Sequence, residues 1–205
     1  MTPEPLPATE ETIEGPFYRP DAPMLEAPCT LVRRPGERGA VLLFAGSVFS
    51  TAGIPLPGAL VDVWHATAAG CYAPGAQTGG EFSSVFDADQ PAYNLRGRLR
   101  AGEGGGFEFT SVVPGAYQEP PGSYRMRPAH VHFRISHDGF PRLTTQVFFA
   151  EDPYLASDPV GVVRPSLITR LERRADPVDL ATRGLARPYF ACRFRFVLRP
   201  APADG

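Results

Sequence analysis

Two histidines stand one residue apart in the run Arg127-Pro128-Ala129-His130-Val131-His132-Phe133-Arg134. The surrounding residues read as a strand, and in a strand residues i and i+2 point to the same side. His130 and His132 can therefore grip one metal ion while Val131, Phe133 and Ile135 pack into a core. A His-x-His strand also serves zinc sites and other metal-binding β folds. The blander alternative is one buried, hydrogen-bonded histidine and one at the surface. Tyrosines lie beside glycine-containing turns in two other places, Trp64-His65-Ala66-Thr67-Ala68-Ala69-Gly70-Cys71-Tyr72 and Val113-Pro114-Gly115-Ala116-Tyr117. Two imidazoles and two phenolates would suit Fe(III), because hard anionic oxygens favour the ferric state. Taken singly, each tyrosine reads more simply as a packing or hydrogen-bonding residue. Spacing alone does not select Tyr72 and Tyr117 from the seven tyrosines of the chain.

The elements that must position these side chains are short strands. Cys29 to Arg33, Gly39 to Ser50, Ala59 to His65, Leu95 to Leu99, Phe107 to Phe109 and Ser111 to Val113 all carry strand patterns, separated by glycine- and proline-rich turns. In Ala59 to His65 the alternation puts Val61, Val63 and His65 on one side and Leu60, Asp62 and Trp64 on the other. Val131 to Ile135 and Leu143 to Phe149 read as a hairpin around His137-Asp138-Gly139-Phe140-Pro141, and Tyr189 to Leu198 as a closing strand. Gly70 to Asn94 is a long polar loop of the kind that borders functional sites. Residues 151–185, polar and proline-interrupted, are expected to hold at most one short helix, near Leu167 to Arg174. The fold class is all-β, a two-sheet β-sandwich with long active-site loops and little helix. Residues 1–25, rich in proline and acids, read as an irregular N-terminal arm anchored by Phe17 and Tyr18. Residues 26–200 read as a single β-sandwich catalytic domain.

Composition narrows the function classes. The 205 residues carry a formal net charge of −2 with acids and bases mixed along the chain, so no basic block points to nucleic acid or a membrane surface. The three cysteines, Cys29, Cys71 and Cys192, are odd in number and widely spaced. That fits neither a disulfide framework nor a zinc-finger pattern, and a reducing, cytoplasmic setting is the expectation. The start, Met1 to Pro7, lacks the charge and apolar run of a signal peptide, and no stretch has the length and apolarity of a membrane span.

Several pieces together resemble the intradiol ring-cleavage dioxygenases, the family of catechol 1,2-, hydroxyquinol 1,2- and protocatechuate 3,4-dioxygenases. They are Glu14-Gly15-Pro16-Phe17-Tyr18, Gly58 through Tyr72, Leu95-Arg96-Gly97-Arg98, Phe107 through Tyr117, Arg127 through Phe133, and Leu143-Thr144-Thr145-Gln146, in family order. The resemblance implies an Fe(III) cofactor held by Tyr72, Tyr117, His130 and His132, with Tyr117 as the axial ligand. It also implies Arg127 and Gln146 as catalytic residues beside the substrate. With two tyrosinates, one hydroxide and neutral histidines, the charge around a ferric ion sums to zero. The implied substrates are a small aromatic diol and dioxygen, and the implied product is a cis,cis-muconate-type diacid. A small homo-oligomer is expected.

Other positions are read as supporting or bland. His65 is a packing or supporting residue rather than a ligand, His137 an exposed turn residue, and Cys71 a packing residue. Arg125 could neutralise a substrate carboxylate or be a solvated loop residue. The resemblance begins at Glu14, so the helical region that precedes the core in catechol and hydroxyquinol enzymes has no counterpart in this sequence. The main alternative function is a non-enzymatic transthyretin-like β-sandwich binding module, which needs the same turns and strands but not the Tyr/His set. A zinc hydrolase using the two histidines lacks a well-placed general base.

Overall fold

The computed structural model describes residues 5–74 and 85–201. Residues 75–84, part of the polar loop read at Gly70 to Asn94, lie outside the described residues.

Two sheets stack face to face. One has the order β10-β11-β1-β4, built from β1 (Val41–Ser50), β4 (Gly106–Val112), β10 (Glu172–Arg174) and β11 (Tyr189–Leu198). The other has the order β3-β2-β7-β8-β9, from β2 (Leu60–His65), β3 (Arg96–Arg100), β7 (His130–His137), β8 (Phe140–Phe149) and β9 (Ile168–Thr169). A separate ribbon pairs β5 (Tyr117–Gln118) with β6 (Met126–Arg127). The sandwich class read from the sequence is the observed one.

The core follows from strand alternation. Val61, Val63, Val131, Phe133, Ile135 and Val147 face inward from the second sheet and meet Phe44, Phe109 and Phe196 from the first, all buried. Phe133 sits at the centre, its ring 4.9 Å from that of Phe44 and 4.7 Å from that of Phe196. The alternate residues must then occupy the outer face of the five-stranded sheet. Register places Arg96 beside Trp64, Trp64 beside His132, and His132 beside Gln146, so one row of four residues runs across β3, β2, β7 and β8.

That outer face is not left to water. Residues 5–25 contain no strand or helix; the first of them hydrogen-bond to the four-stranded sheet, and those from Thr12 to Tyr18 run as a strap over this outer face. Thr9 N–H donates to Val197 O and Thr12 N–H to Thr144 O. Glu14 pairs with Arg134, Phe17 stacks on Tyr72, and the Tyr18 hydroxyl donates to Asp62 at 3.0 Å. The strap closes a second apolar cluster of Phe17, Trp64, Ala66, Tyr72, Val85 and Tyr117 on the far side of the sheet from the main core.

Some element expectations need correction. The segment Leu167 to Arg174 is not a helix. A 3-10 turn covers Pro165–Leu167, and the chain then pairs as β9 beside β8 and as β10 beside β11. The β-branched Ile168 and Thr169 favour the extended backbone. The helix α1 comes later, at Pro177–Thr182, where the Asp176 side chain accepts from the N–H groups of Val178 and Asp179 and Pro177 occupies the first turn. Cys29 to Arg33 forms an isolated bridge at Thr30 rather than a strand. Phe107 to Phe109 and Ser111 to Val113 merge into β4. Among the described residues, no helix is long and apolar enough to cross a membrane.

His65 joins the two sheets. Its Nε2 lies 2.7 Å from the Ser111 hydroxyl of β4, and its Nδ1 lies 2.7 Å from Ala66 O. Burial holds the imidazole neutral, lowering its pKa to about 4. The unfolded chain takes up this proton near pH 6.5 and the folded chain near pH 4. The stability gained from a neutral His65 is therefore present above pH 6.5 and lost between pH 6.5 and 4, by about 3 kcal/mol. In urea titrations across that window, His65→Gln should show a shallower acid loss than the parent. Equal slopes would mean that His65 does not contribute.

Candidate metal centre

His130 and His132 project from the outer face of β7, as the i, i+2 relation requires. Their Nε2 atoms face each other 3.0 Å apart, and both side chains are buried. His130 Nδ1 lies 2.7 Å from Pro128 O. That bond fixes the tautomer, with the proton on Nδ1 and the lone pair on Nε2. His132 is held by stacking, its ring 4.7 Å from that of Trp64 and only 9° from parallel. Its Nδ1 is buried without a hydrogen-bond partner. Burial, followed by neighbouring positive groups, keeps both imidazoles uncharged far into the acid range.

The tyrosines arrive from two turns packed back to back. Thr67 organises the first: its hydroxyl accepts from the N–H groups of Ala69 and Cys71. Its carbonyl accepts from Gly70 N–H within its own turn and from Gly115 N–H of the other. The approach leaves no room for side chains at the contact. A Cβ on Gly115 would lie 2.3 Å from Ala68 O, and one on Gly70 would lie 2.5 Å from Ala116 O. Tyr72 and Tyr117 leave these turns with ring centroids 5.7 Å apart. Tyr72 lies 6.4 Å from the His132 ring and Tyr117 lies 5.8 Å from the His130 ring. Burial pushes both phenols above their usual pKa, although nearby Arg127 opposes the rise. The Tyr72 hydroxyl is buried with no hydrogen bond of good geometry.

Arg127 and Gln146 complete the group. Arg127 is 2% exposed and donates through Nη2 to Gln146 Oε1 at 2.7 Å and through Nη1 to the Tyr117 hydroxyl at 3.4 Å. Gln146 Nε2 donates to Ile13 O of the strap at 2.9 Å. All six residues singled out in the sequence thus meet in one buried place. Arg127 also forms a salt bridge to Asp158 at 3.4 Å, so the guanidinium faces Asp158, Gln146 and Tyr117 together.

The donor set fits a ferric ion. Two nitrogen ligands at right angles, each about 2.1 Å from one ion, stand about 3.0 Å apart, the separation of the two Nε2 atoms. An ionised Tyr72 oxygen, which makes no hydrogen bond of good geometry in the buried site, would gain a cation as its partner. No cluster of three His, Cys, Asp or Glu side chains occurs among the described residues, so the oxygen donors available here are phenols.

Comparison with known proteins shows the family of the chain. A family model described as a dioxygenase matches residues 13–200. The chain belongs to the intradiol ring-cleavage dioxygenase family. It is 40% identical over 173 residues to chlorocatechol 1,2-dioxygenase of Rhodococcus opacus, an alignment covering 78% of this chain and 63% of that protein. It is 39% identical over 171 residues to catechol 1,2-dioxygenase 2 of Acinetobacter lwoffii, covering 78% of this chain and 58% of that one. It superposes on the crystal structure of 3-chlorocatechol 1,2-dioxygenase from Rhodococcus opacus with a TM-score of 0.80 and 31% identity, over 94% of this chain and 73% of that one. The chain therefore spans roughly three fifths of the length of these curated relatives.

Within this family member, several supporting residues escaped the sequence reading. Arg96 is buried and donates to Phe17 O and to Ala73 O, tying the strap to the residue after Tyr72. Asp152 accepts from Ala129 N–H at 2.7 Å and fixes the bend before His130. Trp64 backs His132. No local pattern announces Asp152, whereas Arg96 and Trp64 stood inside the quoted motifs without an assigned role, and Trp64 could have been found from the alternation that put it on the outer face. His137 is half-buried rather than exposed, with Nε2 3.2 Å from Pro57 O. Cys71 is half-buried, and Arg125 is exposed with its guanidinium toward Pro159 O.

The close packing of the two turns is testable. Gly115→Ala should destabilise the chain by about 1–3 kcal/mol. Gly102→Ala, whose new Cβ would meet only Gly106 O at 3.7 Å, should be nearly neutral. Thermal and urea unfolding of both variants would check this, and equal stabilities would refute the role of the contact.

Proposed function

We propose that this protein carries out non-haem Fe(III)-dependent intradiol cleavage of a catechol-type aromatic diol with dioxygen, giving a cis,cis-muconate-type diacid. The observation that carries the reading is the convergence of two neutral imidazoles and two buried phenols beside Arg127 and Gln146. A transthyretin-like binding module needs the strands and turns alone and would not account for this convergence.

Tyr72, Tyr117, His130 and His132 would hold the iron. When bound, Fe(III) supplies the Lewis acidity that ionises phenols and diol, and it draws electron density from the diol so that the ring reacts with dioxygen. The chain's own groups do the rest. Neutral His130 and His132 present nitrogen lone pairs without adding charge. Tyr117 is the mobile proton site: as a phenolate its oxygen accepts a proton from a diol hydroxyl. Arg127, 3.4 Å from that oxygen, steadies negative charge there and on the ring. Gln146, held between Arg127 and Ile13 O, keeps its amide oriented for hydrogen bonding to the reacting group. Phe17 and Trp64 cover the site and exclude water. Cleavage falls between the two hydroxyl-bearing carbons, and both atoms of one dioxygen enter the diacid.

Iron-loaded protein should show a visible tyrosinate-to-iron charge-transfer band. It should take up one dioxygen per diol with catechol, hydroxyquinol or protocatechuate and release a ring-opened diacid. Tyr72→Phe should abolish or shift the band, and Arg127→Gln should lower kcat by about 10²–10³. A protein that binds no iron through tyrosinate and takes up no oxygen would favour the binding-module reading instead.

A further inference from the structure

We propose that Asp158 is a positioning residue for this reaction, setting the orientation of the Arg127 guanidinium toward Tyr117 and Gln146; the inference rests on the function proposed above. Arg127 stands on the two-residue strand β6 and is buried. A buried guanidinium without a counter-charge is strongly disfavoured, and Asp158 supplies that counter-charge. Its Oδ1 lies 3.4 Å from Arg127 Nε, and both side chains are 2% exposed.

The arrangement is directional. The Asp158 carboxylate lies on the Nε side of the planar guanidinium as an ion pair, without a hydrogen bond of good geometry, while Nη1 meets the Tyr117 hydroxyl and Nη2 meets Gln146. Attraction on that side favours the orientation in which the two Nη donors face Tyr117 and Gln146. Asp158 itself is placed independently of Arg127. Its Oδ1 accepts from Val160 N–H at 3.3 Å and its Oδ2 from Val162 N–H at 3.1 Å. Its carbonyl accepts from Gly161 N–H at 3.1 Å. The Asp158 carboxylate is thus held by backbone N–H groups of its own loop as well as by its pairing with Arg127.

A double-mutant cycle with Asp158→Asn and Arg127→Gln tests the assignment. In the iron-loaded enzyme, Asp158→Asn should lower kcat by about ten- to a hundredfold with a much smaller change in KM, while the visible band persists. Asp158→Glu should restore part of the loss. In the Arg127→Gln background, Asp158→Asn should cause no further loss. In thermal unfolding of the metal-free chain, the double variant should melt above Arg127→Gln alone, because it no longer buries an unpaired carboxylate. An active parent in which the two losses simply multiply, or a double variant melting below both single variants, would overturn the proposal. An iron-loaded parent that opens no diol would instead overturn the proposed function, and the melting cycle would still decide whether Asp158 and Arg127 act as a pair.

Discussion

The Nε2 atoms of His130 and His132 lie 3.0 Å apart and out of reach of water. Two nitrogen lone pairs cannot be held that close unless a proton or a cation stands between them. Because His130 Nδ1 is committed to Pro128 O, the metal-free chain must place that one proton on His132 Nε2. This leaves His132 Nδ1 as a buried acceptor with no partner. The arrangement is a poor hydrogen-bonding solution and a good chelating one. Much of the surrounding structure keeps it in place: the β7 pleat that aims both rings the same way, the Trp64 stack, and the strap that keeps solvent out.

The strap deserves weight equal to the sheets. A β-sandwich ordinarily buries one face of each sheet and leaves the other wet. Here the outer face of the five-stranded sheet carries Trp64, His132 and Gln146, and Phe17 and Tyr18 of the strap pack with Trp64, Tyr72 and Tyr117 into a second apolar cluster there. Gln146 Nε2 donates to Ile13 O, and Arg96 donates to Phe17 O. The strap is thereby joined to both ends of the residue row that carries the site. Its backbone supplies carbonyls for buried donors that a solvent-exposed sheet would leave to water.

Electrostatics and burial pull against each other around the centre. Burial keeps the phenols protonated and the imidazoles neutral, so the charged groups next to the donors are Arg127, paired with Asp158, and the buried Arg96. A tripositive ion reverses the balance for the phenols by making the anionic form the favoured one. The fold thus keeps a neutral, dry set of donors whose ionisation depends on what they bind. Carboxylates stand one step back: Asp152 on the Ala129 N–H and Asp158 on Arg127.

Alternation along the strands was legible in the chain's residues alone. Val131, Phe133 and Ile135 had to face one way and His130 and His132 the other, and Trp64 had to share the face opposite Val61 and Val63, because strand side chains alternate with period two. The sandwich class was legible too, through short strands separated by glycine and proline. The selection of Tyr72 and Tyr117 from seven tyrosines came from motif resemblance and not from spacing. Only the tertiary structure decided that the two turns dock through Thr67, Gly70 and Gly115, that the strap crosses above the histidines, and that Asp158 meets Arg127 from a distant loop. The helix misplaced at Leu167 to Arg174 belongs to the same class, since pairing with β8 and β11 outweighed local pattern. These contacts join segments tens of residues apart, and nothing in a local window of sequence encodes which distant backbone group will satisfy a buried donor.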